Sequence, residues 1–214
     1  LVPRPAGSFS QSLDGAWLFR PDPPAGFEQP GATEDDWKPI ETPSHWAMKG
    51  FVTESGYGGY RKHVRIPEDW RGRRIRVAFD GVYSGAEVWW NGVRAGSHLG
   101  GATPFQLDVT ESARPGSDNV LAVRVAEKSM ASELDHMSMY ADFSLAGIFR
   151  SAYVFSIPPA HIARVQSHAG LRGGPGSADL VVDVGIVNES PEPAPAITLS
   201  LRLLDASGRV VSSG

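Results

Sequence analysis

Few residues of this chain are spaced for catalysis. Nucleophilic chemistry needs a nucleophile within reach of an oriented base, and hydrolysis between paired carboxylates needs two acids roughly 5 to 10 Å apart. Neither pattern is evident in the 214 residues, and there is no Gly-rich phosphate loop, HExxH, GxSxG or zinc-ligand spacing. Asn188-Glu189 in "GIVNESPEP" has the residue types of an acid/base pair, but it follows an alternating strand and precedes Ser-Pro-Glu-Pro, which reads as a hairpin turn. The six histidines, among them His45, His63, His98 and His136, fall on different elements and read as surface or packing residues. Residues 140–150, "YADFSLAGIFR", are different, because an acid and an aromatic, Asp142 and Phe143, sit beside a small-residue corner, Ala146-Gly147. A carboxylate there could accept two hydroxyl hydrogen bonds from one ligand, or it could bond its own backbone as a turn acid. The residues alone leave both readings open.

The aromatics offer a second kind of chemistry. Trp46, Tyr57, Tyr60, Tyr83, Trp89 and Trp90 could present rings against the axial C–H face of a sugar. Trp89 and Trp90, adjacent in a strand, must point to opposite faces, so the pair reads as one core ring and one partly exposed ring.

The elements that would carry these residues are strands. Helical periodicity is hard to find, whereas short alternating or apolar runs separated by Gly, Pro, Asn and Asp recur along the chain, as in an antiparallel all-β protein. "GAWLFRP", "GYRKHVRIP", "RIRVAFDGV", "AEVWWNGVRAGSH", "PFQLDV", "NVLAVRVAE" and "GIFRSAYVFSI" are the expected strands. Leu121, Val123 and Val125 alternate with Ala122, Arg124 and Ala126, giving one apolar and one wet face. Asn91-Gly92 supplies the two positive-φ positions of a type I′ hairpin turn. The segment 126–146 shows no period and reads as a long loop, of the kind that is usually functional or disordered. In "SHLGGATPF" the glycines beside His98 indicate a tight backbone corner and a structural role for that ring.

After residue 157 a proline pair ends the first sheet. Alternating strands, a Pro-rich turn and the hairpin turn "DASG" then read as the start of an immunoglobulin-like sandwich. The expected division is therefore residues 1–157 and 158–214. The second part has about three strands where such a sandwich needs about seven, so it reads as truncated or completed by another chain.

Composition narrows the function classes. Hydrophobic content of 41% with 21% charged residues is ordinary for a globular protein. A net charge of -4 with scattered Lys and Arg gives no footprint for nucleic acid. "RGRRIR", residues 71–76, reads as a solvated strand edge. The absence of cysteine rules out disulfides and thiolate metal sites. No run of about 18 apolar residues is present and no signal-peptide pattern opens the chain, so the expectation is a soluble protein without membrane partners, cytoplasmic or secreted or periplasmic after signal removal.

The strings "LDGAWLFRPD", "DDWKPIETPSHW", "GYGGYRKHVRIPEDWRGRRIRVAFDGVYSGAEVWWNGVRAGSHLGGATPFQLDVT", "NVLAVRVAE" and "DFSLAGIFRSAYVFSIPPAHI" occur in an order that resembles the N-terminal sugar-binding domain of glycoside hydrolase family 2. That family holds β-galactosidases, β-glucuronidases and β-mannosidases, and the resemblance spans residues 13–162. It implies a jelly-roll sandwich, then an immunoglobulin-like domain, then a catalytic (β/α)₈ barrel that this chain lacks. The implied parent is a retaining glycosidase acting on a terminal β-linked sugar, most similar to β-galactosidases, and this chain alone should be inactive; the alternative readings are a free-standing carbohydrate-binding module with exposed aromatics as its platform, and a purely structural or adhesive pair of sandwiches. In glucuronidase and mannosidase members an Asp followed by an aromatic, just before a small-Gly-Ile/Leu corner, contacts the terminal sugar. Asp142 and Phe143 stand in those places. Galactosidase-like members use an acid somewhat earlier in the same loop, where Glu133 and Asp135 are the nearest candidates. No cofactor is implied for this chain, although some galactosidase members use Mg²⁺ or Na⁺.

Overall fold

The computed structural model describes residues 1, 3–5, 7–137, 146–171, 178–194 and 196–214. The strands are β1 (Ser10–Ser12), β2 (Gly15–Pro21), β3 (Lys38–Thr42), β4 (Tyr57–Arg65), β5 (Arg74–Phe79), β6 (Val82–Tyr83), β7 (Gly85–Trp90) and β8 (Val93–Leu99). They continue with β9 (Phe105–Asp108), β10 (Asp118–Ala126), β11 (Gly147–Ile148), β12 (Ala152–Ile157), β13 (Ala160–Leu171), β14 (Ala178–Asn188), β15 (Arg202–Leu204) and β16 (Val210–Ser213). One α-helix, α1 (Met130–Met137), lies among the described residues.

A six-stranded sheet, ordered β3-β2-β4-β10-β7-β8, packs on a four-stranded sheet, β1-β12-β5-β9, to make the all-β sandwich expected from the alternating pattern. The core between them takes the inward residues of each strand: Leu121, Val123 and Val125 from β10, Val88 and Trp90 from β7, Val77 and Phe79 from β5, and Val154 from β12. All eight are essentially inaccessible, and each such side chain contributes on the order of 1.5 to 3 kcal/mol by leaving water.

Strand β4 shows why the sequence reads "GYGGYR". A Cβ on Gly58 would lie 2.7 Å from the Phe19 and Trp46 rings on the inner side, and one on Gly59 would lie 2.7 Å from Pro23 on the outer side. Large aromatics thus close over both faces of the strand because it carries no side chain there. Tyr60 then enters the core and Arg61 is buried on the outer face, beneath the loop between β2 and β3. Its guanidinium donates to Glu34 at 2.8 Å, to the carbonyls of Phe27 and Gln29, and stands over the Trp37 ring.

The Asn91-Gly92 turn has φ of 51° and 81° and joins β7 to β8 as its residue types require. Trp90 is in the core and Trp89 half-buried on the outer face, as their adjacency demands. His98 stacks on Phe105 at 4.3 Å and bonds Thr103 at 3.0 Å, in the structural position expected of it.

Three expectations change. Residues 130–137, expected in a loop, are helical, because Ser129 and Ser132 cap each other: the Ser129 N–H donates to the Ser132 hydroxyl at 2.8 Å and the Ser132 N–H donates back at 3.4 Å. "GIFRSAYVFSI" is two strands, β11 and β12, broken at residues 149–151. "RGRRIR" is an ion-pair strip as much as a wet edge, with Arg74 and Arg76 both bonded to Glu189 at 2.7 and 2.6 Å.

Beyond residue 158, β13 and β14 form a two-stranded ribbon and β15 and β16 a second one, closed by the expected "DASG" turn. Asp205 organises that turn by accepting from the Ser207 and Arg209 N–H groups. Asn188 accepts from the Ser190 N–H at 3.1 Å, so Asn188-Glu189 is a turn.

Candidate functional site

The small-residue corner at 146–148 is held from two sides. On one, the Ser44 N–H donates to the Ile148 carbonyl at 2.9 Å and the Trp46 N–H to the Ala146 carbonyl at 3.1 Å. On the other, Gly147 and Ile148 pair with Tyr83 and Val82 of β6. Gly147 has φ of 143°, and a Cβ there would lie 2.5 Å from the Ser44 carbonyl oxygen. Glycine is required because the two backbones cross with no room for a side chain.

Tyr83 sits at the junction. Its ring packs against Gly101, where any Cβ would overlap it. Burial pushes its phenol pKa up, and the carboxylate of Asp135 on α1, facing the hydroxyl, raises it further. One tyrosine thus touches both the corner that ends residues 138–145 and the helix that precedes them. Glu133 and Asp135 are two positions apart on α1, so they cannot share a face. Both acids are exposed, and Asp135 is the one that faces Tyr83.

Asp142 and Phe143 lie outside the described residues. Their flanks are defined: α1 delivers the chain into residues 138–145 and Ala146 receives it, both beside Tyr83. Just past the corner, Phe149 stacks on His45 at 5.4 Å, and the exposed Arg150 reaches the Ala102 carbonyl at 3.3 Å. Pro43, Asp80 and Arg150 line a shallow depression there. Sequence reasoning read His45 as a surface or packing residue and singled out neither Phe149 nor Arg150. "PSHW" has no period to mark it, and residues 149–151 were hidden inside an apparent strand.

Of the aromatics considered for stacking, Trp46, Tyr60, Tyr83 and Trp90 are buried in the sandwich and unavailable as a platform. Tyr57 and Trp89 remain accessible on the outer face. Among the described residues no three His, Asp or Glu side chains converge as metal ligands. No described helix is long and apolar enough to cross a membrane.

Residues 10–158 match the family model described as glycosyl hydrolases family 2, sugar binding domain. A beta-galactosidase of Priestia megaterium is 26% identical over 97% of the chain, and beta-galactosidase BoGH2A of Bacteroides ovatus is 30% identical over 92%. The chain spans 22% and 24% of the lengths of those two relatives. A family 2 glycosyl hydrolase structure from Bacteroides cellulosilyticus superposes with a TM-score of 0.79 at 26% identity, over 96% of this chain and 28% of the other. The beta-glucuronidase of Ruminococcus gnavus superposes equally well, at 0.79 over all of this chain and 38% of the other, and at 23% identity supports the fold alone. With two-thirds of its residues inside the family model and the same sandwich in a solved member, the chain belongs to glycosyl hydrolases family 2 and contains that family's sugar binding domain.

Proposed function

We propose that this chain is a non-catalytic N-terminal part of an exo-acting retaining β-glycosidase of β-galactosidase type. Residues 1–157 form its sugar-binding jelly roll and residues 158–214 open an immunoglobulin-like domain. The jelly roll supplies one wall of the substrate pocket and supports a (β/α)₈ barrel joined to it in the same polypeptide. The two catalytic carboxylates belong to that barrel.

The observation that carries this reading is the double anchorage at Tyr83. The described flanks of the segment that bears the acid and the aromatic, α1 before it and the Gly147 corner after it, both lie beside Tyr83. Flanks placed in this way suit the presentation of a carboxylate to a ligand on a neighbouring domain. The names of the relatives favour a β-galactoside over other β-linked sugars, and their greater length accommodates the barrel.

The test is Asp142→Ala in the full-length enzyme acting on a small β-galactoside. If Asp142 bonds the reacting sugar, kcat/KM falls by about one to three orders of magnitude, at about 1.4 kcal/mol per tenfold. An unchanged rate would return Asp142 to the role of a turn acid.

A further inference from the structure

We infer that the outer face of the six-stranded sheet is a second carbohydrate-binding surface, for a neutral pyranose chain, built on Trp89, Arg124, Glu87 and Tyr57. The inference does not rest on the pocket proposed above. It starts from strand register: Glu87 on β7 lies opposite Arg124 on β10, and Trp89 and Tyr57 share their parity, so all four side chains emerge on one face.

On that face Arg124 stands between two rings, 5.3 Å from the Tyr57 centroid and 6.0 Å from that of Trp89. Its Nε donates to Glu87 at 2.8 Å and its Nη2 donates to the same oxygen, while Arg94 approaches the other Glu87 oxygen at 3.5 Å. The guanidinium is therefore fixed in orientation with only part of its five N–H groups used. Trp89 is itself held edge-on by Phe27 at 5.8 Å, and Pro23, Phe27, Trp89 and Arg124 line a concavity beside the loop between β2 and β3.

A sugar ring asks for this combination. Its axial C–H face packs on an aromatic ring, and its hydroxyls need rigid donors and acceptors beside that ring. Tyr57 is 42% exposed even with Arg124 over its ring, so part of the ring remains accessible. The charge arrangement selects among ligands. Glu87 already bridges Arg124 and Arg94, so an incoming uronate or phosphate would have to compete with a carboxylate already in place, whereas neutral hydroxyls can join the existing network.

The test is affinity gel electrophoresis of the 214-residue chain through gels containing galactan, mannan or xylan, with polygalacturonate as the anionic comparison. At least one neutral polymer should retard the chain. Trp89→Ala and Arg124→Ala should each raise the apparent Kd by about tenfold or more, the scale expected on losing one stacked or charge-assisted contact. Tyr57→Ala, on an exposed ring, gives the same reading where Trp89→Ala fails to fold, and melting curves establish which variants are folded. Val165→Ala, exposed on the β13–β14 ribbon, should bind as the wild type does. Retardation by no neutral polymer, by polygalacturonate alone, or undiminished in the folded variants would overturn the inference. So would its loss in Asp142→Ala, which would place the bound sugar at the pocket loop. Asp142→Ala turnover in the full-length enzyme is read separately, so either idea can fail alone.

Discussion

Gly147 crosses Ser44 so closely that a Cβ on the glycine would lie 2.5 Å from the serine's carbonyl oxygen and 3.1 Å from the Tyr60 hydroxyl. The oxygen cannot retreat freely, because the same peptide segment donates its Ser44 N–H to the Ile148 carbonyl. Gly147→Ala must therefore either separate residues 44–46 from 146–148 or strain a backbone already at φ of 143°. A loss of about 2 to 4 kcal/mol is expected, the range for backbone clash in a buried site. For a chain of this size that lowers the melting temperature by roughly 5 to 15 °C. Gly72, at φ of 74° with open space around it, is the control: Gly72→Ala should cost far less.

Glu189 fastens the base of the β13–β14 ribbon to the four-stranded sheet. It receives Arg74 at 2.7 Å and Arg76 at 2.6 Å, and the Glu189 N–H donates to the Pro159 carbonyl at 2.9 Å. The two guanidiniums are 25% and 16% exposed, so removing the carboxylate leaves two mostly desolvated cations that share Asp108, with the exposed Glu111 at 3.9 Å from Arg74 as the other acid nearby. Glu189→Ala should cost about 1 to 3 kcal/mol in urea unfolding, and Glu189→Gln somewhat less. Limited proteolysis near Pro158 should accelerate in step, because the ribbon is no longer tied to β5.

Acid should attack the loop between β2 and β3 through Glu34. Burial by itself would raise the Glu34 carboxyl, but hydrogen bonds from Arg61 and His63 outweigh it and hold the group below its ordinary value of 4.5. A carboxyl whose folded pKa is depressed contributes stability above its unfolded pKa and loses it as pH falls through the folded one. Wild type should therefore exceed Glu34→Gln in stability at pH 7, and the difference should shrink below about pH 4.5. Chemical unfolding followed by fluorescence at several pH values measures this, and a gap that persisted at pH 2 would contradict it.

The sandwich was legible because its signals are local. Leu121, Val123 and Val125 announce a half-buried strand by alternation alone, and Asn91-Gly92 a hairpin by backbone sterics alone. The surroundings of the site were less legible because they depend on residues distant in the chain. Nothing near His45 indicates that Phe149 will stack on it, and nothing near Gly147 indicates that Ser44 will lie against it. Helix α1 was missed for a different reason. It is short and weakly amphipathic, and its mark is a Ser-x-x-Ser cap in place of the more familiar Ser-x-x-Glu. The wet face assigned to Ala122 is buried because Phe27 and Trp37, from a loop about 90 residues earlier, cover it.

The three acids considered for sugar contact can be ranked by kinetics. Asp135 lies near the Tyr83 hydroxyl and raises its pKa, so its loss should act through the placement of α1. Asp135→Asn and Tyr83→Phe should then have similar, modest effects on kcat/KM in the full-length enzyme, within about tenfold, and should not add when combined. Glu133, exposed on another face of α1, should be near neutral. Asp142→Ala should exceed them all, by the one to three orders of magnitude argued above. A second readout separates positioning from contact. Asp135 raises the Tyr83 phenol, so Asp135→Asn should lower that tyrosine's midpoint in a spectrophotometric titration, while Asp142→Ala should leave it unchanged. A large kinetic loss in Asp135→Asn with an intact Tyr83 titration would instead make Asp135 the sugar contact.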